Sequence, residues 1–316
     1  MARRAMMAAK FSSAASELHV KSAANSLFLI RSAVSHTSSL PIILSFSAAD
    51  PSSTTGIQAD VLTLSSLGCH PLTAITALSV QDTRNLSELS VTDPDFLNEQ
   101  ARYLLEDMPV AAFKIGVIGS VENVAVIAEI IADYPDVPVV LDLSLLCAPD
   151  QESDDLMAAV AEMLLPHTTL LICTPHSGRW LMEELEGALP DEKTLVACFA
   201  QAQVPYLLMT HLHTRPDALT HALYEGHALL WRENFPKNNE IIRGEHDTLS
   251  AAIAAMLAAG MEMTLAVREA QLFCLETLKA AYRPGMGHAI VDRLFWARET
   301  YQAESSLDDG SETKAL

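Results

Sequence analysis

Glycine is scarce in this chain of 316 residues. The chain has 12 glycines, which is about half of the ~7% that is usual in proteins. Glycine allows a backbone to approach a bound group closely and to adopt left-handed conformations. Since loops that bind phosphate through backbone N–H groups need glycine, each such loop has to be inspected for its loss.

Basic residues are also in short supply. The chain has 20 lysines and arginines against 40 aspartates and glutamates, which gives a net charge of −20 at pH 7. A body this acidic repels the phosphate backbone of nucleic acids and the anionic surface of membranes. We therefore expect neither a nucleic-acid partner nor a membrane partner.

Paired cysteines and long apolar runs are missing. The five cysteines are scattered and never form a Cys-x-x-Cys pair, which excludes a zinc ribbon or a disulfide framework and is typical of free thiols in a reducing compartment. No apolar run reaches the ~18 residues of a membrane-spanning helix. These features predict a cytoplasmic protein.

The two ends of the chain differ from the middle. Residues 1–40 contain nine serines, five basic residues and one acidic residue. This composition fits an organellar transit peptide, a disordered extension, or a start assigned upstream of the true one. Residues 301–316 are polar and acidic, which predicts a disordered tail. The segment 41–300 between them is expected to form one domain.

Apolar runs and helical spacing alternate through that domain. Continuous apolar runs typical of strands buried on both faces alternate with segments of helical period. The alternation predicts an α/β fold with a mostly parallel central sheet and helices on both faces, and ligands at the carboxyl ends of the strands. The expected strands are 41–48, 72–80, 111–118, 137–143, 169–174 and 205–210, followed by a hairpin around Glu225 and Gly226.

Several motifs follow the predicted strands in a fixed order. They are SAADPSSTTGIQAD (47–60), VQDT (80–83), KIGVIGS (114–120), VVLD (139–142), CTP (173–175) and TLSAAIAAMLAAG (248–260), with RPGMG (283–287) near the end. Together they resemble the hydroxymethylpyrimidine/phosphomethylpyrimidine kinase family of thiamine biosynthesis. The resemblance implies a ribokinase-like three-layer αβα sandwich. It also implies ATP-dependent phosphorylation of the hydroxymethyl group of an aminopyrimidine, or of its monophosphate.

The resemblance also implies roles for particular residues. It places Gln81 on the pyrimidine ring, where a primary amide offers both a donor and an acceptor. It places Asp60 near the substrate, and Asp50 matches an aspartate of the opening motif. The implied cofactors are ATP and Mg²⁺, the implied partner is a small aminopyrimidine, and the family allows for a homodimer.

The anion-binding turn departs from the family pattern. Family members carry His-Gly-Ser/Thr-Gly-Cys, whose backbone N–H groups form an anion hole at a helix N-terminus. Here Gly244 is followed by Glu245 and His246, so that side chains and a negative charge replace bare backbone. Asp247 takes the cysteine's place and is the predicted catalytic base. The alternative role of Asp247 is the N-cap of a helix from Thr248.

The nucleotide region departs as well. Where the family has Asn-x-x-Glu to organise Mg²⁺, this chain has His176 and Arg179, and Thr210 replaces a family lysine. Two functional hypotheses therefore remain open. One is an active pyrimidine kinase with altered loops, and the other is a catalytically impaired relative that binds the pyrimidine as a sensor or regulatory partner.

A third hypothesis, a different enzyme on the same scaffold, comes from the histidines in these loops. His211 and His213 are two residues apart, so they would face the same side of an extended strand. Together with His176, His246 and Asp247 they could ligate Zn²⁺ or another transition metal. The alternative is that they are solvated loop residues, and we assign no metal ligand from the sequence.

Overall fold

The computed structural model describes residues 40–143, 154–179, 191–215, 218–237 and 240–297, with the backbone alone at 213–215. Apart from Leu40, the predicted extension and the acidic tail lie outside these residues, so both remain predictions. Within the described part of the chain, no helix is both long and apolar enough to cross a membrane.

Among the described residues, nine strands form one central sheet and two short strands pair separately. In chain order they are β1 (Ile42–Ala49), β2 (His70–Gln81), β3 (Leu86–Val91), β4 (Ala112–Ile115), β5 (Val139–Asp142), β6 (Leu170–Cys173), β7 (Tyr206–Arg215), β8 (Ala218–Glu225), β9 (Ala228–Pro236), β10 (Ile242–Arg243) and β11 (Ala289–Ile290). The sheet order is β3-β2-β1-β4-β5-β6-β7-β8-β9, and β10 pairs with β11. The six neighbouring strands β2-β1-β4-β5-β6-β7 are parallel, whereas β3, β8 and β9 join antiparallel at the edges.

Helices cover both faces of the sheet. They are α1 (Gly56–Ser66), α2 (Pro94–Asp107), α3 (Val121–Ala132), α4 (Asp154–Ala159), α5 (Pro175–Arg179), α6 (Glu192–Gln201), α7 (Glu245–Ala258) and α8 (Met263–Lys279). One apolar core lies under α2, α3, α4 and α6, and a second lies under α1, α7 and α8. The predicted three-layer αβα sandwich with a mostly parallel sheet is confirmed.

Local chemistry explains the helix boundaries, including one that the sequence prediction missed. Asp93 caps α2 by accepting hydrogen bonds from the N–H groups of Asp95 and Phe96. In contrast, α7 begins at Glu245 rather than at the predicted Thr248. Gly244, with a left-handed φ of 89°, turns the chain into the helix three residues early.

The early start of α7 corrects one prediction about Asp247. Gly244 is the N-cap, so Asp247 lies in the first turn of the helix and does not cap it.

The strand β3 is a second difference from the expected elements. Its partly buried residues, Leu86 and Leu89, are three apart instead of alternating, which hides an edge strand from a period-two pattern.

Candidate active site

A buried lysine lies among the acidic side chains of the site. Lys114 on β4 has no exposed surface, and its Nζ is 2.9 Å from Oδ1 of the equally buried Asp60. Ser45 donates a hydrogen bond to the other oxygen of that carboxylate. Burial opposes the charge on the lysine, but nearby carboxylates raise its pKa. In order of effect they are Asp60, Asp247 and Asp142.

This arrangement refines the sequence interpretation of Asp60. Its carboxylate is engaged by Lys114 and Ser45 inside the protein, so a direct contact with substrate stays a prediction. Sequence reasoning gave Lys114 no role. The signal that could have found it is a lysine inside an otherwise apolar strand, AFKI at 112–115, since a buried charge needs a partner.

Asp247 faces the start of helix α1. Its Oδ1 accepts a hydrogen bond of 2.8 Å from the N–H of Gly56, and its side chain is buried. Burial raises the pKa of Asp247 to about 6, although Lys114 opposes the rise. The structure thus brings the predicted base next to the loop that carries the opening motif.

Gly244 and Arg293 hold this turn in place. A Cβ on Gly244 would collide with the carbonyl oxygen of Thr54, so only glycine fits there. The buried guanidinium of Arg293 donates to the carbonyl oxygens of Thr54 at 2.7 Å and Gly244 at 3.2 Å. Because Arg293 joins the two loops, their relative position is fixed, and the sequence analysis did not identify this residue.

Asp50 organises the loop before α1. Its carboxylate accepts hydrogen bonds from the N–H groups of Ser52, Thr54 and Thr55, and from the hydroxyls of Ser52 and Thr55. Burial alone would raise the pKa of Asp50, but these hydrogen bonds lower it below its usual 3.8. In the structure Asp50 therefore holds the loop, while its predicted contact with substrate remains untested.

Gln81 borders a cavity at the end of β2. It ends β2, and its Nε2 donates a hydrogen bond of 3.2 Å to Oγ1 of Thr55. The cavity has a volume of about 460 Å³. Its walls are Pro51 and Ser52, the segment 81–84, and residues 285–287. Gln81 and Asp247 thus contact consecutive residues, Thr55 and Gly56.

Residues 285–287 of the RPGMG motif line part of this cavity. In the sequence this motif served only to recognise the family. In the RPGMG motif, the carbonyl oxygen of Met286 accepts a hydrogen bond from Arg84, and the N–H of His288 donates to the carbonyl oxygen of Thr83. A Cβ on Gly287 would collide with the hydroxyl of Thr83. The glycine therefore lets the two loops cross and close the cavity.

Charged side chains occupy the first turn of α7. Nδ1 of His246 is 3.3 Å from Oδ2 of the buried Asp142. Burial opposes a charge on His246, but Asp142 and Glu245 raise its pKa to about 9. Burial likewise opposes the charge on Glu245, but His211 and His246 lower its pKa to about 2. The turn therefore carries an imidazolium and a carboxylate beside the helix N–H groups.

Two further imidazoles lie against this turn. Nε2 of His211 is 3.6 Å from Oε2 of Glu245, and the ring of His211 stacks on that of His246 at 5.0 Å. The ring centroid of His221 on β8 is 5.4 Å from that of His211. Burial lowers the pKa of His221 to about 3. Sequence analysis missed His221, because its partners are brought together only by the β7–β8 pairing.

Thr210, His176 and Arg179 are the remaining predicted residues whose side chains are described. Thr210 is buried, and its hydroxyl donates to the carbonyl oxygen of Cys173 on the neighbouring strand. His176 and Arg179 lie on the short helix α5, where His176 is exposed. The side chain of His213 is outside the described residues. The alternation expected for His211 fails, because it lies at a bulge in β7 with a left-handed φ of 57°.

Comparisons with known proteins identify the family of this chain. Residues 50–292 match the family model described as phosphomethylpyrimidine kinase. The hydroxymethylpyrimidine/phosphomethylpyrimidine kinase of Mycobacterium tuberculosis is 31% identical over 81% of this chain and 94% of that protein. A thiamine biosynthesis multifunctional protein of Corynebacterium glutamicum is 27% identical over 88% of this chain, but only 37% of that protein is covered.

A solved structure shows the same fold. Pyridoxal kinase of Bacillus subtilis, determined as an ADP complex, matches with a TM-score of 0.73 and 21% identity, covering 82% of this chain and 100% of that chain.

Proposed function

This chain belongs to the phosphomethylpyrimidine kinase family, and we propose that it transfers a phosphoryl group from ATP to the hydroxymethyl group of an aminopyrimidine, or to its monophosphate, in thiamine biosynthesis. The observation that carries the proposal is that Gln81, which borders the cavity, and Asp247 contact adjacent residues. Gln81 bonds to Thr55, and Asp247 bonds to Gly56. The names of the matching relatives support a kinase and give no support to the binding-only alternative.

The pyrimidine would bind in the cavity bordered by Gln81. Its volume of about 460 Å³ lies in the range of pockets for small molecules. The amide of Gln81 offers one donor pair and one acceptor, which matches an aminopyrimidine edge. The hydrogen bond from Gln81 to Thr55 holds the amide in place before the ligand arrives.

Asp247 would serve as the catalytic base. As the hydroxymethyl oxygen forms its bond to the γ-phosphorus, the bond from that phosphorus to the bridging oxygen breaks and ADP leaves. The hydroxyl proton passes to the carboxylate of Asp247. The N–H of Gly56 orients this carboxylate, while Lys114 lies close enough to influence its pKa.

The start of α7 favours the phosphate groups of ATP. The first N–H groups of a helix have no partner within the helix and favour an anion. Mg²⁺ is usually held through one or two carboxylates together with substrate phosphates. Of the nearby carboxylates, Asp142 is paired with His246 and Glu245 with His211. This mixture of imidazoles and carboxylates suits a transition metal better than Mg²⁺.

A coupled assay with hydroxymethylpyrimidine and ATP tests the function. Wild-type protein should produce ADP and the pyrimidine monophosphate in equal amounts. Asp247→Asn should lower kcat by about 10²–10⁴, the usual contribution of a positioned base. Asp136→Asn, at an exposed position, is the matched control. Equal rates for the two variants would remove Asp247 from the chemistry, and absence of any product would refute the kinase.

A further inference from the structure

Two histidines and a glutamate converge from three separate elements beside the start of α7. His211 lies on β7, His221 on β8 and Glu245 at the first position of α7. One side-chain ligand atom from each of them lies within 4.8 Å of the other two. Because the three residues lie on three different elements, only the folded sheet and helix create this cluster.

The nitrogens of this cluster are poorly satisfied for their depth. Both ring nitrogens of His221 and Nδ1 of His211 are buried and make no hydrogen bond of normal geometry, although the Gln271 amide lies near His221. The side chain of His221 is 2% exposed. Buried polar atoms are normally hydrogen-bonded, and each exception in a native protein needs an explanation such as an ion. The backbone strain at His211, with φ of 57°, also turns its ring out of the regular strand alternation.

We propose that His211, His221 and Glu245 bind a transition-metal ion of the Zn²⁺ type. Imidazole and carboxylate ligands suit Zn²⁺, and three protein ligands leave a fourth position for water or another ligand. Nε2 of His211 is already 3.6 Å from Oε2 of Glu245, close to the ~3.4 Å that separates two ligands at ~2.1 Å in a tetrahedral site. The pairing of His246 with Asp142 leaves His246 outside the set.

The surroundings of the cluster provide access and support. A cavity of about 150 Å³ reaches His221 and Glu245 and is also lined by Gln271 and Cys274. Nε2 of Gln271 is itself buried without a partner. One ring nitrogen of His221 would bind the ion. The amide of Gln271, which lines the same cavity, would then orient the other ring nitrogen, as outer partners of metal-bound histidines do. An ion here would also offset the negative charge of Glu245 at the helix start.

Metal binding to nucleotide-free protein tests the site independently of the kinase reaction. Protein freed of metal with a chelator would be titrated with Zn²⁺ against a fluorescent indicator, and with Co²⁺ to record the visible absorption of a four-coordinate ion. We expect one tight site for Zn²⁺, which excess Mg²⁺ does not displace. His211→Gln and Glu245→Gln should each weaken it about a hundredfold, as should His221→Gln. His227→Gln, on the exposed β8–β9 turn, should leave it unchanged.

The pattern across the variants decides the outcome. If His221→Gln fails to fold, the two partly exposed positions still test the cluster, with circular dichroism as the check on folding. Zn²⁺ should raise the Tm of wild-type protein and of His227→Gln but not that of Glu245→Gln, because only an ion bound to the native state stabilises it. Absence of a tight site, or equal Zn²⁺ affinity in wild type and all four variants, would overturn the proposal.

Discussion

At one end of the candidate active site the Asp50 carboxylate accepts five hydrogen bonds from its own loop, whereas at the other end neither ring nitrogen of the buried His221 makes a hydrogen bond of normal geometry. We call the first the pyrimidine end (Asp50, Thr55, Gln81) and the second the phosphate end (His211, His221, Glu245, His246). The pyrimidine end retains Asp50 and Gln81 of the family motifs, and the Asp50 carboxylate is satisfied by its own loop. The phosphate end has lost its motif and holds groups whose partners are missing.

The two ends differ in how far a sequence motif identifies them, but they share a neighbouring buried cation. Lys114 binds Asp60 and lies near two carboxylates that lead to the two ends. Asp247 contacts Gly56 beside Thr55, and Asp142 pairs with His246. If both ends depend on this one cation, disrupting it should harm the whole site, while changes at either end should stay local.

Removing the shared cation should have the largest effect. Lys114→Met leaves Asp60 buried without its partner, and breaking a buried ion pair from one side costs about 3–5 kcal/mol of unfolding free energy. Denaturant melts followed by circular dichroism would measure the loss. Lys114→Met combined with Asp60→Asn should regain a large part of it, because no uncompensated charge remains. A single variant as stable as wild type would show that Lys114 does not hold the acids together.

Restoring the family turn should increase the rate of phosphoryl transfer. Glu245→Ser with His246→Gly exposes the backbone N–H groups of α7, and one such donor is worth about 10²–10³ in rate. We expect the wild-type rate to lie at least about a thousandfold below that of a relative with intact motifs. The restored turn, with His176→Asn and Arg179→Glu, should recover a measurable part.

Two controls accompany this restoration. Adding Asp247→Asn to the restored protein should abolish the gain, while Glu99→Ser on the exposed face of α2 should change nothing. If unmodified protein already turns over at an ordinary kinase rate of ~1–100 s⁻¹, the altered turn is a working variant of the site and the premise of this restoration is wrong.

The stability that Asp50 contributes to the folded protein should depend on pH. Hydrogen bonds lower the pKa of Asp50 in the folded protein below its usual 3.8, so the stability it contributes is complete above pH ~4 and is lost as the pH falls through the folded value. Asp50→Asn should therefore cost about 1–3 kcal/mol at pH 7 and progressively less below pH ~4. Paired melts across pH would show this convergence, and a constant difference between the proteins would contradict it. Asp136→Asn is the flat control.

The sequence predicted the central sheet well, for a physical reason. Buried parallel strands are continuous apolar runs, and the opening motif lies in one contiguous loop, so both leave local signals. The edge strand Leu86–Val91 left none, and the helix start at Glu245 depended on the left-handed Gly244. Local patterns therefore placed most elements, and missed those set by an edge or a single backbone angle.

The phosphate end was only partly predictable, since its contacts are long-range. The motif comparison identified Glu245 and His246 as departures, and the histidine pattern included His211. Nothing in the sequence joined them to His221, which reaches them through the antiparallel pairing of β7 with β8. The bulge at His211 also broke the period-two rule from which the histidine prediction was made.

The smallest expected effect lies at the pyrimidine end, where a single side chain is changed in an otherwise satisfied loop. Gln81→Ala removes the amide that borders the cavity, and the loss of one hydrogen-bond partner costs about 1–3 kcal/mol, or about tenfold or more in Kd. Calorimetric titration with hydroxymethylpyrimidine would measure it, with Gln201→Ala at the exposed end of α6 as control. Because Gln81 also donates to Thr55, the melt of the variant must show an intact fold. Unchanged affinity in a folded variant would place the pyrimidine elsewhere, and the division between the two ends would then have to be redrawn.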